Sequence, residues 1–237
     1  YYYNQKYYDQ PIVLEAGWFG GYINCLTDLG GTTGPGKGFI KDLNPEAGNF
    51  NTGIFAAVNV RRKYSIRLNI LHGKIGAADS LINSQEKEAV LRYNRNLHFL
   101  SPLTEVSIIT EIYFLQLLGI SKKENLLLPF LSIGIGIFKF SPKAYLNGQL
   151  YHLHEYHTEG QGSLNFPERK PYKLLQANIP AGAGIRYEVN ARWNLRAEVL
   201  HRKLFTDYLD DVSTRYIHPN SFYSFLNEEK AVVAVQL

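Results

Sequence analysis

A chain of 237 residues, 45% of them hydrophobic, with a formal net charge of +4, is long enough for one domain without disulfide staples; a lone Cys25 allows no internal disulfide. The basic balance is too slight and dispersed for a nucleic-acid groove, since the longest Lys/Arg block is Arg61-Arg62-Lys63. A transmembrane helix needs ~20 apolar residues, and the longest candidate, Leu126 to Phe138, is broken by Pro129, Ser132, Gly134 and Gly136.

In chain order, residues 1–12 are expected to form an N-terminal extension on the periplasmic side, and 13–237 the folded body. The chain starts at Tyr1 and holds no methionine, as removal of a secretory leader, or trimming of a longer chain, would leave it. Within the body the main signal is alternation of apolar and polar residues with period two, which gives each face of a strand its own class. Strands are predicted at Val13–Ile23, Phe50–Val60, Tyr64–Lys74, within Arg95–Leu117, and at Leu127–Phe140, Gln176–Glu188 and Arg192–Phe205. Lys230–Leu237 is predicted as a last strand. Short connections follow the second, fourth and sixth strands (Arg61–Lys63, around Gly119–Asn125, Val189–Ala191), and long ones follow the others. Turns sorted to one end and loops to the other are the pattern of an outer-membrane barrel, with turns periplasmic and loops extracellular.

One face of these strands is nearly free of charge: Ile66, Leu68 and Ile70; Val106 and Ile108; Leu195 and Val199. The other carries both signs mid-strand, through Glu15, Arg67, Glu105, Glu111, Arg186, Glu188, Arg196 and Glu198. A solvated outer face would carry a Lys/Thr/Ser mixture instead. Buried opposite charges that pair suit the inside of a narrow barrel filled by its own side chains. The expected fold is therefore all-β: a closed antiparallel up-and-down transmembrane barrel of about eight strands. Glycines at 17, 134, 136, 182 and 184 are expected to make room for the long charged side chains. A soluble sandwich with its apolar face inside is the competing reading. The 17 tyrosines suit two wet–apolar boundaries.

Candidate chemistry is sparse. His152, His154 and His157 have a metal-like spacing, but no fourth ligand is set by it, and a polar loop is the plainer reading. Asp207, Asp210 and Asp211 lack the alternation of an EF-hand and are expected to fix a loop through turn hydrogen bonds. Gly34–Gly38 lacks phosphate-loop spacing. His72, His98 and His201 lie near strands, yet no nucleophile pattern selects them or Ser65, Ser107 or Ser132. No cofactor, metal or catalytic set is expected.

FTDYLDDVSTRY (Phe205–Tyr216) and HTEGQG (His157–Gly162) resemble the PorG-like outer-membrane barrel family of Bacteroidota, as do PFLSIGIGIFKFSPKA (Pro129–Ala144) and LHGKIGAADS (Leu71–Ser80). The specific part is the loop of Phe205, Thr206, Asp207, Tyr208, Asp210 and Asp211; the segment after Tyr216 matches less well. The resemblance implies an outer-membrane component of a type IX secretion system that anchors a periplasmic ring, a lipoprotein with its partner protein, by protein–protein contacts. Arg61, Arg62, Lys63, Lys122 and Lys123, with the Tyr-rich N-terminus, are the expected contacts. Other readings are a small lipid- or ligand-handling barrel and a lipid-modifying membrane enzyme.

Overall fold

The computed structural model describes residues 11–26, 47–81, 97–120, 125–190, 192–213 and 216–237. Seven long strands form one antiparallel curled sheet: β1 (Ile12–Ile23), β2 (Asn49–Val60), β3 (Tyr64–Ala78), β4 (His98–Ile112), β5 (Leu127–Phe140), β8 (Leu175–Glu188) and β9 (Asn194–Leu204). Each pairs with the next in chain order, apart from β6 (Lys143–Leu146) and β7 (Gln149–His152), a short hairpin whose β6 touches the upper end of β4 at Leu100. Among the described residues the edge strands β1 and β9 are not paired with each other.

Alternation is the reason for this architecture. Period-two burial runs along every long strand, so each has an inner and an outer face. The apolar face is the outer one: Trp18 is 78% exposed, Ile135 67% and Val199 81%, alongside Ile66, Leu68, Val106, Ile108 and Leu195. The inner face holds the charges, with Arg186 2% exposed and Glu111 0%.

The short connections between consecutive long strands (β2–β3, β4–β5 and β8–β9) lie at one end, called the turn end. Arg61 and Arg62, both with positive φ (51° and 55°), form the tight β2–β3 turn. The β4–β5 connection contains a single-turn helix, α1 (Phe114–Leu117). The long connections gather at the opposite, loop end. Inside, Tyr113, Leu128 and Phe130 form an apolar floor near the turns. Leu71, Ile75, Phe99, Leu103, Phe138 and Phe140 form a larger cluster toward the loops. The charges lie beside and between these clusters, with Arg186 in register with Leu128 and Glu105 in register with Leu71 and Phe138.

One expected strand fails, and one hairpin is added. Lys230–Leu237 is not a strand: Glu228–Ala234 is a helix, α2. Its start is capped by Asn227, whose Oδ1 accepts from the Lys230 amide at 3.0 Å, and Glu228 and Glu229 complement the helix dipole. Ala231 and Ala234, three apart on one face, bury against Tyr156, Ile217 and Phe222. A Val/Ala run satisfies either period, and the cap decides. The β6–β7 hairpin was not foreseen, because four-residue strands carry too little alternation. Residues 1–10 and the Gly34–Gly38 stretch lie outside the described residues.

Candidate functional site

Two arrangements gather the candidate residues, one inside the curl and one in the loops. The inner one begins at Arg67 on β3, whose guanidinium binds Glu111 of β4 at 3.0 Å and Glu198 of β9 at 2.5 Å. Arg196 of β9 binds Glu15 of β1 at 2.8 Å and lies 3.5 Å from Glu111. Arg186 of β8 donates to the other oxygen of Glu15 and, at 3.0 Å, to Asn59 of β2. Glu188 is 3.6 Å from Arg186 and accepts from Arg62 at 2.5 Å. Closer to the loops, Glu105 accepts from Arg202 at 2.8 Å and from the Asn178 amide at 2.7 Å. Seven of the eight charged residues read from the sequence therefore meet, drawn from five strands and crossing from wall to wall, while Glu105 pairs apart from them with Arg202 and Asn178. Such pairing is what makes buried charge tolerable; without partners each would cost several kcal/mol.

Aromatic rings complete this layer. Phe55, facing inward from β2, lies under Arg196 at 5.1 Å and Arg67 at 6.0 Å. Gly17 makes this possible, since a Cβ there would stand 2.8 Å from the Phe55 ring. Gly184 makes the same room for Phe130, at 2.6 Å. At these two positions the close neighbour is a ring rather than the charged side chain expected. The sequence reading missed Arg202, Asn59, Asn178 and Phe55, although Arg202 continues the inward period of Arg196 and Glu198.

The proposed contact residues at the turn end divide. Arg61 and Lys63 are exposed, while Arg62 turns inward to Glu188 and to the Asn125 carbonyl. Lys122 and Lys123 lie outside the described residues.

The second arrangement brings residues 157–162 and 205–213 together. Asp211, held in the left-handed region (φ 73°), accepts from the Thr158 hydroxyl at 2.7 Å and from the Tyr172 hydroxyl. Glu159 accepts from the Ser213 amide at 3.1 Å through its side chain, and its carbonyl accepts from Arg169 at 2.6 Å. Tyr172 stacks on Tyr208 at 4.5 Å and meets His154 edge-on at 4.7 Å. Asp207 and Asp210 make the local contacts expected of loop acids, to the Ser213 hydroxyl and the Val212 amide, both at 3.4 Å. Asp211 does not: it reaches across to another loop. Phe205 and Thr206 lead into this turn, Phe205 exposed and Thr206 accepting from the Tyr208 amide at 3.2 Å. Burial pushes the Asp210 carboxyl up to about 7 and that of Asp211 to about 6, the latter despite its two hydroxyl donors.

Of the three histidines, His154 and His157 lie together, with ring centroids 6.2 Å apart. His152 pairs with the Ser141 hydroxyl, and His154 with the Tyr172 carbonyl. Among the described residues no group of three or more His, Cys, Asp or Glu is placed to hold a metal ion. Comparison with known proteins gives no match to any family model, curated protein or solved structure.

Proposed function

We propose that this chain is an outer-membrane β-barrel acting as a structural anchor in protein secretion of the type IX class. The observation that carries the membrane reading is the outward placement of apolar side chains over every long strand while the charges are shut inside. On β5 the outer face from Leu127 to Ile137 is free of charge. At about 3.4 Å per residue and a tilt of ~40°, this stretch spans roughly 26 Å, close to the ~25 Å apolar band of such barrels. Exposed aromatics stand near both limits of that band: Tyr64, Tyr187 and Trp193 toward the turns, Tyr22, Phe50 and Tyr145 toward the loops.

The anchoring role rests on the sequence resemblance, and the filled interior supports it. Side chains that meet across the lumen suit a scaffold better than a conduit. The turn end offers Arg61 and Lys63 beside exposed Leu118 and Ile120, a mixed surface for a periplasmic protein. The test is a pull-down from native membranes in mild detergent. A periplasmic ring lipoprotein and its partner should come with the barrel, and Arg61→Glu with Lys63→Glu should weaken that recovery. A barrel that purifies alone, from cells whose ring assembles without it, would sink the anchoring role.

A further inference from the structure

Charge on the outer wall is of one sign and at one end. Among the described residues, no Asp or Glu occupies an outward position on the seven long strands. The lysines that do, Lys74 on β3, Lys139 on β5 and Lys203 on β9, all stand toward the loop end, where the charge-free stretch stops. Two of them share a patch. Thr52, His72, Thr104 and Lys139 are in register across β2, β3, β4 and β5, and all are exposed. Lys74 follows His72 by one pleat on the same face. Within the row, His72 Nδ1 and Thr104 Oγ1 are 2.9 Å apart. The row continues only to Gly20 on β1 and Leu175 on β8, and Lys203 stands apart, in register with Ile179. The cations on β3 and β5 therefore form a patch, not a girdle around the wall.

The surface just below changes character in a single step. The next outward row toward the turns is Ile54, Ile70, Val106 and Ile137, all exposed and all apolar. Strand geometry sets the scale of the patch. Two spacings of ~4.8 Å and one pleat of ~7 Å put the Lys74 and Lys139 backbones about 12 Å apart. Two four-carbon stems leaning over Thr104 span such a gap, so both ammonium groups can meet one anion. A water-soluble anion would engage the lysines and leave the apolar row unused. A lipid engages both levels, with its headgroup on the cations and its chains along the strands below. From β3 to β5 that apolar wall is about 10 Å wide, which suits a lipid of several chains.

We propose that this patch is a fixed binding site for a phosphate-bearing glycolipid of the outward leaflet. Its phosphate lies between Lys74 and Lys139, beside the His72–Thr104 pair, and its acyl chains lie along Ile70, Val106 and Ile137. This rests on the membrane reading above, with the loops outside, because that orientation puts the patch in the leaflet that an outer membrane builds from phosphorylated glycolipid. Charge complementarity selects the headgroup. A phosphate monoester carries close to two negative charges near neutral pH and offers three acceptor oxygens, enough for both lysines. The phosphodiester of an ordinary phospholipid carries a single charge and satisfies one of them. No outward carboxylate on these strands competes for either lysine.

The test is native mass spectrometry of the whole protein, extracted in mild detergent, freed of co-purified lipid and then offered a bis-phosphorylated, multiply acylated glucosamine disaccharide. One copy per chain should stay bound. Lys74→Gln with Lys139→Gln should lower that retention by on the order of tenfold, as two charge-assisted contacts are lost. Lys203→Gln, at the same border but off the patch, should leave it unchanged. On the unaltered protein, the same glycolipid stripped of its phosphates, and phosphatidylglycerol, should each be held as weakly as the intact glycolipid is by the double variant. Undiminished retention by the double variant, equal loss in Lys203→Gln, or equal retention of either comparison lipid would each overturn the site. An unchanged heat-modifiable gel shift checks that the double variant is folded, and the two comparison lipids decide the matter without any variant. Release of the protein from membranes by alkaline carbonate without detergent would instead overturn the membrane reading.

Discussion

Arg67 is the residue on which most of the inner layer turns, because it alone joins Glu111 and Glu198 across the curl. Arg67→Met keeps most of the side-chain volume but leaves two buried carboxylates short of a partner. Loss of one member of a buried pair costs about 3–5 kcal/mol. The variant should unfold at markedly lower urea in detergent micelles, while Arg61→Met, at an exposed turn position, should not shift the midpoint. An unchanged midpoint for Arg67→Met would mean the ion pairs do not hold the walls together. Gly17→Ala tests the same layer from its other side. The added Cβ would stand 2.8 Å from the Phe55 ring and push it off Arg196 and Arg67, an overpacking cost of about 1–3 kcal/mol. The signs of these charges were legible in the sequence, because alternation put them on one face. Their partners were not, since pairing depends on how far the sheet curls. Arg62 shows this: by position it is a turn residue, by contact a member of the layer.

At the scale of elements, strands long enough to alternate were legible, β5 to the residue. What escaped was short or ambiguous. The β6–β7 hairpin was announced only by Asn147-Gly148, both with positive φ as a tight hairpin turn requires. Helix α2 was hidden in a Val/Ala run. The loop clamp formed by Thr158, Tyr172 and Asp211 was not legible either, since its partners come from separate connections. It carries a prediction of its own. Folding raises the Asp210 and Asp211 carboxyls to about 7 and about 6, from an ordinary value of 3.8. A raised pKa means the folded loop prefers the protonated form, so this contribution is full below about pH 4 and is lost as pH rises through 6 to 7. Tyr172, Thr158, His154 and Glu159 are the groups that face Asp211, and Asp207 and Asp211 those near Asp210. Proteolysis between Phe205 and Ser213 should therefore be slower at pH 5 than at pH 8, by on the order of tenfold. Asp210→Asn combined with Asp211→Asn, in which neither side chain can ionise, should flatten that dependence; an equally steep profile in the double variant would exclude these two carboxyls as its source.

For the whole molecule, the decisive property is which side of the sheet is greasy. A soluble β-protein and a membrane barrel share the same alternation, and the direction of curl separates them. Here the curl encloses Arg67, Glu111 and Arg186 and leaves Ile135, Leu195 and Val199 outside. In water this outer surface would be an aggregation hazard; against lipid it is the required solvent contact. The two environments respond oppositely to an added outer charge. Val199 stands near the middle of β9, so Val199→Arg would place a cation well inside the apolar band, at a cost of about 2–4 kcal/mol if lipid surrounds it. The same change at Phe205, just beyond the end of β9, should cost about 0–1 kcal/mol. Folding into phosphatidylcholine vesicles, followed by the heat-modifiable gel shift, measures both. A folded fraction that falls for Val199→Arg and holds for Phe205→Arg is the expected depth profile. Equal tolerance at both positions, with better solubility in plain buffer, would mean that water rather than hydrocarbon surrounds the strands.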